Sequence, residues 1–129
     1  MEKIKSLSDK RLIVEAAVNG KKGFFLIDTG ASVGLITDDM VRKYSILKGR
    51  RYPGTLVGAG GEMDDVYYCN TLVRLGCKNI PQFLIADISG VRDSIERETG
   101  IEIIGIIGLP QMKIAGIQID ANDNLIIIE

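Results

Sequence analysis

The sequence predicts a mostly β domain with one or two short helices. Apolar residues come in short runs, of strand rather than helix length. Fifteen glycines punctuate these runs, alongside turn pairs such as Asn19-Gly20, as expected of a chain that reverses often. One run, Phe24-Phe25-Leu26-Ile27, is unbroken and reads as a strand buried on both faces.

Bulk properties narrow the function. At 129 residues the chain is one domain with room for a real core. It is 46% hydrophobic and carries a net charge of −1, so no basic excess points to nucleic acid. No stretch has the length of a membrane span. Met1 to Lys10 is charged and lacks the apolar segment of a signal peptide, which predicts a cytoplasmic protein if the chain is complete. There is no histidine, which excludes Ser-His and Cys-His pairs and any histidine metal site within the chain. Cys69 and Cys77 cannot make a four-ligand zinc site, and free buried thiols are preferred over a cross-strand pair.

In chain order, Leu12 to Val18 alternates around Glu15 and reads as a strand. Asn19-Gly20 turns it into the apolar run, and this hairpin delivers Asp28. A carboxylate emerging from a core strand needs hydrogen bonds, a partner charge or a shared proton. Thr29 and Ser32 offer hydroxyls, and Gly30 permits a tight turn. Leu35-Ile36 continues extended, with Gly34 marking a softened segment or a bulge. Thr37-Asp38-Asp39 opens a short helix with Thr37 as cap, closed by Arg42 and Lys43.

Thr55-Leu56-Val57 and Met63 to Tyr68 flank Gly58-Ala59-Gly60-Gly61 as a glycine-tipped hairpin. A phosphate-binding loop is the competing reading. It lacks the third glycine, and no helical periodicity follows. Leu72 to Leu75, a turn at Gly76 to Asn79, and Phe83 to Ala86 then repeat the opening in outline, reaching Asp87. Ile88, Val91, Ile95 and Thr99 share one helical face, stopped by Gly100. Ile103 to Gly108 is an apolar strand. Its Gly108 suits a close backbone approach, and Pro110 suits a first helical turn. Ile117 to Asp120 and Leu125 to Ile128 form a closing hairpin.

Three of these elements, in this order, resemble the retroviral-type (retropepsin-like) aspartic proteases. Asp28-Thr29-Gly30-Ala31-Ser32 after an apolar strand is similar to their active-site loop. Gly58 to Gly61 is similar to their flap, and Ile106-Ile107-Gly108 to the apolar-apolar-glycine element packed beside the loop. The resemblance spans residues 12–129 and leaves 1–11 as an N-terminal extension. It implies a closed or curled β-barrel. It also implies Asp28 as the catalytic residue, Thr29 interlocking with its twin, and Gly30 letting substrate backbone pass close. Ala31 completes the loop, and Ser32 donates to the Asp28 carboxylate. Val57, Gly58, Ala59, Gly60 and Gly61 would cover an extended peptide or protein substrate. Ile36, Val57, Ile106 and Ile107 would wall the pockets.

With one Asp-Thr-Gly per chain, the second carboxylate must come from another copy, so the resemblance implies a homodimeric endopeptidase without metal or organic cofactor. Leu125 to Ile128 would then be either a dimer-interface strand or an internal one. Two alternatives stay open: a non-cutting peptide-binding or dimerisation module of the same fold, and an unrelated β-barrel in which Asp28 only caps a turn.

Overall fold

The computed structural model describes residues 1–58 and 61–129, and the short apolar runs become strands. The chain opens with β1 (Glu2–Lys5), the hairpin β2 (Ile13–Val18) and β3 (Lys21–Asp28), and β4 (Gly34–Thr37). Next come β5 (Lys48–Arg51), a small hairpin of β6 (Leu56–Gly58) and β7 (Gly61–Met63), and β8 (Tyr67–Cys69). A second hairpin, β9 (Val73–Leu75) and β10 (Lys78–Ile80), leads to β11 (Phe83–Ala86) and helix α1 (Ser89–Thr99). The chain ends with β12 (Gly105–Gly108), α2 (Leu109–Ala115), β13 (Ile117–Asp120) and β14 (Leu125–Ile128).

Nine strands form one strongly curled half-barrel sheet in the order β10-β9-β2-β3-β12-β4-β11-β8-β5. Its middle reads the same from either end. β12 and β4 are antiparallel neighbours. Each has a parallel partner outside it, β3 beside β12 and β11 beside β4. Each of those has an antiparallel partner in turn, β2 and β8. An approximate internal two-fold therefore relates β3 to β11, and Asp28 and Asp87 lie at the ends of equivalent strands.

The β2–β3 turn forms for a local reason. Asn19 (φ 53°) and Gly20 (φ 78°) both take left-handed backbone, the pair a two-residue hairpin needs. β3 is buried on both faces as the sequence predicts. Phe25 and Ile27 enter one apolar cluster with Ile36, Ile85, Ile107 and Ile126. Leu26 enters another with Leu35, Leu84, Ile103 and Ile106, which α1 covers through Ile95. Each fully buried side chain of this size contributes roughly 1.5–3 kcal/mol.

Several expectations need correction. Leu72 to Leu75 does not pair with Phe83 to Ala86. Gly76 (φ 58°) turns the chain tightly, so Lys78–Ile80 folds back on Val73–Leu75, and β11 takes β8 as its antiparallel partner. The arm from Met63 to Tyr68 breaks after Met63, because Val66 turns into the core. Thr37 does not cap a helix with its side chain; its hydroxyl donates to Asp39 Oδ1 at 2.8 Å. A 3-10 turn, Asp38–Met40, stands there and stops short of Arg42 and Lys43. Gly34 is regular strand, and the space its side chain would need is filled by Gln111. Both thiols are free, but Cys77 is exposed and Cys69 only half-buried. Among the described residues no helix is long and apolar enough to cross a membrane.

Candidate active site

Asp28 is the last residue of β3 and lies opposite Gly108 of β12 in the parallel ladder. The chain then crosses the end of β12 to reach β4. That crossing is tight. A side chain on Gly108 would meet Val33 O at 2.8 Å and Ala31 O at 2.9 Å. Leu109 N–H donates to Ala31 O at 3.0 Å, and Ala31 N–H to Asp28 O at 3.1 Å, so the loop is tied to the start of α2 and to itself.

The Asp28 carboxylate is half-buried. Its Oδ1 accepts from Gly30 N–H at 2.9 Å. Ser32 is exposed on the loop, and among the described residues no hydrogen bond joins it to Asp28; the backbone of Gly30 is the donor the structure shows. Thr29 is exposed at the loop tip. Arg11 stands nearby, its guanidinium gripped by Glu98 at 2.6 and 3.2 Å. Hydrogen bonding to Glu98 raises the Arg11 pKa above its ordinary value, with a smaller contribution from the charge of Asp28.

A groove of about 650 Å³ opens over the loop. Asp28, Gly30, Ala31 and Ser32 line it with Leu35 and Ile106. The β6–β7 hairpin forms one wall through Leu56, Val57 and Met63, and the start of α1 another through Ile88, Gly90 and Val91. Val57 is 79% exposed. In the hairpin Val57 faces Glu62 and Gly58 faces Gly61 (φ 99°); Ala59 and Gly60 lie outside the described residues. Ile36 and Ile107, read as pocket walls, point instead into the core on the opposite face, each fully buried. Successive strand residues alternate faces, so the groove takes Leu35 and Ile106, their neighbours. A second recess, about 760 Å³, shares Val33 with the groove and holds Arg50, Tyr52 and Tyr68, with no catalytic candidate.

Two features escaped the sequence. Gln111 is 1% exposed. Its Oε1 accepts from Gly108 N–H at 2.9 Å, and its Nε2 donates to Pro81 O at 2.6 Å, so it holds β12, α2 and the approach to β11 together. The only hint was a polar residue between Pro110 and Met112. The second feature is a set of carboxylates on the groove, Glu62, Asp64, Asp65 and Asp87, of which adjacent Asp64-Asp65 was the visible sign. Among the described residues no group of three ligating side chains could hold a metal.

The aspartyl protease family profile matches residues 14–110. No curated protein matches the chain. Among solved structures, the EIAV protease complexed with the inhibitor HBY-793 superposes with a TM-score of 0.62 at 20% identity, covering 85% of this chain and 92% of that one. A retropepsin-like aspartic protease from Rickettsia conorii gives 0.59 at 21% identity, covering 98% and 88%. The retroviral protease-like domain of Ddi1 from Leishmania major gives 0.61 at 20% identity, covering 92% and 88%. At such identities the likeness is one of fold.

Proposed function

Because the chain belongs to the aspartyl protease family and shares the fold of retropepsin-like structures, we propose that it is a homodimeric aspartic endopeptidase in which Asp28 of each copy activates one shared water. The observation that carries this reading is the place of Asp28. It stands at the floor of a peptide-sized groove, on a loop held from behind by Gly108 and Leu109. Asp87, at the equivalent strand end, serves another purpose: its Oδ1 accepts from Ser89 N–H at 3.0 Å at the start of α1. The second carboxylate therefore comes from a second chain.

Two carboxylates a few ångströms apart cannot both ionise, so the pair shares one proton. The ionised member takes a proton from water as its oxygen adds to the scissile carbonyl carbon. The protonated member gives its proton to the carbonyl oxygen. The resulting diol collapses as the C–N bond breaks, and a proton passes to the leaving nitrogen. In this reading exposed Thr29 meets its twin on the two-fold, and Gly30 lets the substrate backbone approach. Val57 and Gly58 lie over the bound peptide, with Ala59, Gly60 and Gly61 completing the flap. Leu35 and Ile106 receive an apolar side chain. An extended peptide pairs through its backbone, with alternate side chains in alternate pockets.

The test is digestion of a diverse peptide mixture from acidic to neutral pH, read by mass spectrometry, with Asp28→Asn in parallel. Cuts that fall by at least about a thousandfold in the variant support the reading. Cuts equal in both overturn it. Peptides bound but uncut by the wild type leave a binding module of the same fold.

A further inference from the structure

The groove has a charge bias that the catalytic reading does not use. Besides Asp28 its lining carries Glu62, Asp64, Asp65 and Asp87, and no lysine or arginine. Composition does not explain this, since the whole chain has 16 basic and 17 acidic residues. The four additional carboxylates are exposed, and among the described residues none belongs to an ion pair. Four basic groups around the groove already have partners: Arg11 is paired with Glu98 and Arg92 with Asp39. Arg51 donates to the backbone oxygen of Asp64 at 3.1 Å, and Lys48 is paired with Asp38 at 2.8 Å. Beneath the carboxylates the surface is apolar, made by Leu35, Leu56, Met63 and Ile106.

We propose that this groove selects cationic peptides, with an apolar side chain seated on Leu35 and Ile106 and a lysine or arginine within reach of Glu62, Asp64 and Asp65. The inference rests on the groove being the peptide site of the proposed protease. Apolar walls limit screening and focus the field of the carboxylates along the groove. Charges at the rim of a site act mainly on encounter rate and on discrimination between partners. An acidic side chain entering beside Glu62, Asp64 and Asp65 meets like charge on the lining, whereas a lysine or arginine finds carboxylates that hold no ion pair among the described residues. Hydrogen bonding from Ser89, with a smaller contribution from the charge of Arg92, holds the Asp87 carboxyl below its usual range; Arg92 offsets part of the field at this end, so the cation is placed at Glu62, Asp64 and Asp65. A two-fold partner would set the same carboxylates on the other side of the scissile bond, serving a basic residue on either flank.

The test uses three peptides of equal length and identical apolar centre, with lysine, glutamine or glutamate at the flanking positions. Binding to the full-length Asp28→Asn chain is read by fluorescence anisotropy, and cleavage by the wild type is followed separately. The lysine peptide is expected to bind about tenfold more tightly than the glutamate peptide at low salt, with glutamine between. The ratio should shrink in 0.5 M salt, as screening requires. The combined change Glu62→Gln, Asp64→Asn and Asp65→Asn should bring it towards one.

Equal affinities, a preference for glutamate, or a ratio untouched by the triple change would overturn the inference. Charge-selective binding without any cutting would sink the protease reading and leave the inference standing. Cutting without charge preference would do the reverse, and no binding of any peptide would overturn it.

Discussion

At Gly108 a hydrogen atom stands where any other residue would carry carbon. The oxygens of Val33 and Ala31 lie 2.8 and 2.9 Å from that position, and both belong to the loop that carries Asp28. Gly108→Ala must therefore move the loop. Overpacking of this kind costs about 1–3 kcal/mol, and a misplacement of about 1 Å at a reacting group can cost about a hundredfold in rate. Urea unfolding and peptide cleavage should show both losses; a variant with wild-type midpoint and rate would contradict the account.

Gln111→Met tests the other support of the same turn. It keeps length and bulk but leaves Gly108 N–H and Pro81 O without partners. Buried groups so orphaned cost about 1–3 kcal/mol each, so the unfolding midpoint should drop with no change in the folded circular dichroism spectrum. Gly108 was legible in the sequence because an apolar strand ending in glycine implies close approach. Gln111 was not, because a polar residue in a short helix usually faces solvent. Gly34 read as a weak point only because the amide that fills its space comes from a distant part of the chain.

Among the elements, α1 is tied to the main sheet by a charged link. Arg92 pairs with Asp39 and, at 3.3 Å, with Asp93. Burial pushes the Asp39 carboxyl up, but hydrogen bonds from Arg92 and Thr37 outweigh it and hold the group below its ordinary 3.8. A carboxyl depressed in the folded state binds fewer protons there than in the unfolded chain. Its stabilisation is present above the ordinary value and is lost as pH falls through the folded one. Arg92→Leu should therefore lower stability at neutral pH, and its deficit against the wild type should narrow below about pH 4. Asp39 is 45% exposed, so the effect stays under about 1 kcal/mol. Urea midpoints between pH 7 and pH 3 decide it, and a deficit that widened in acid would reverse the sign.

The helix itself was legible, since Ile88, Val91 and Ile95 share a face and Gly100 (φ 77°) ends it. The β2–β3 hairpin was legible for the same local reason. Partner choice was not. Nothing in Val73–Leu75 or Phe83–Ala86 says that the first pairs with β2 and the second with β8, because strand propensity reports fit to a pleated surface and is silent on which strand lies alongside.

At the scale of the molecule, the ends of the chain close on each other. β14 is the middle strand of a three-stranded sheet between β1 and β13, and its Ile126 and Ile128 are fully buried. Of the two roles the sequence left open for this strand, the internal one is what the chain shows, since both of its edges pair within the same copy. The proposed two-carboxylate site directs attention to the loop face as the surface a second copy would use, where Thr29 is exposed and Leu109 is 38% exposed. That proposal carries a mass-action consequence. If each active site needs Asp28 from two chains, specific activity must fall on dilution below the dimer dissociation constant. Asp28→Asn must also poison the wild type. Mixed in equal amounts and allowed to exchange, the two chains leave only about one quarter of the dimers with both carboxylates, so activity per wild-type chain should fall to about half. A site complete within one chain would show neither effect: its activity per molecule would be independent of concentration, and added Asp28→Asn chain would leave the wild-type rate unchanged.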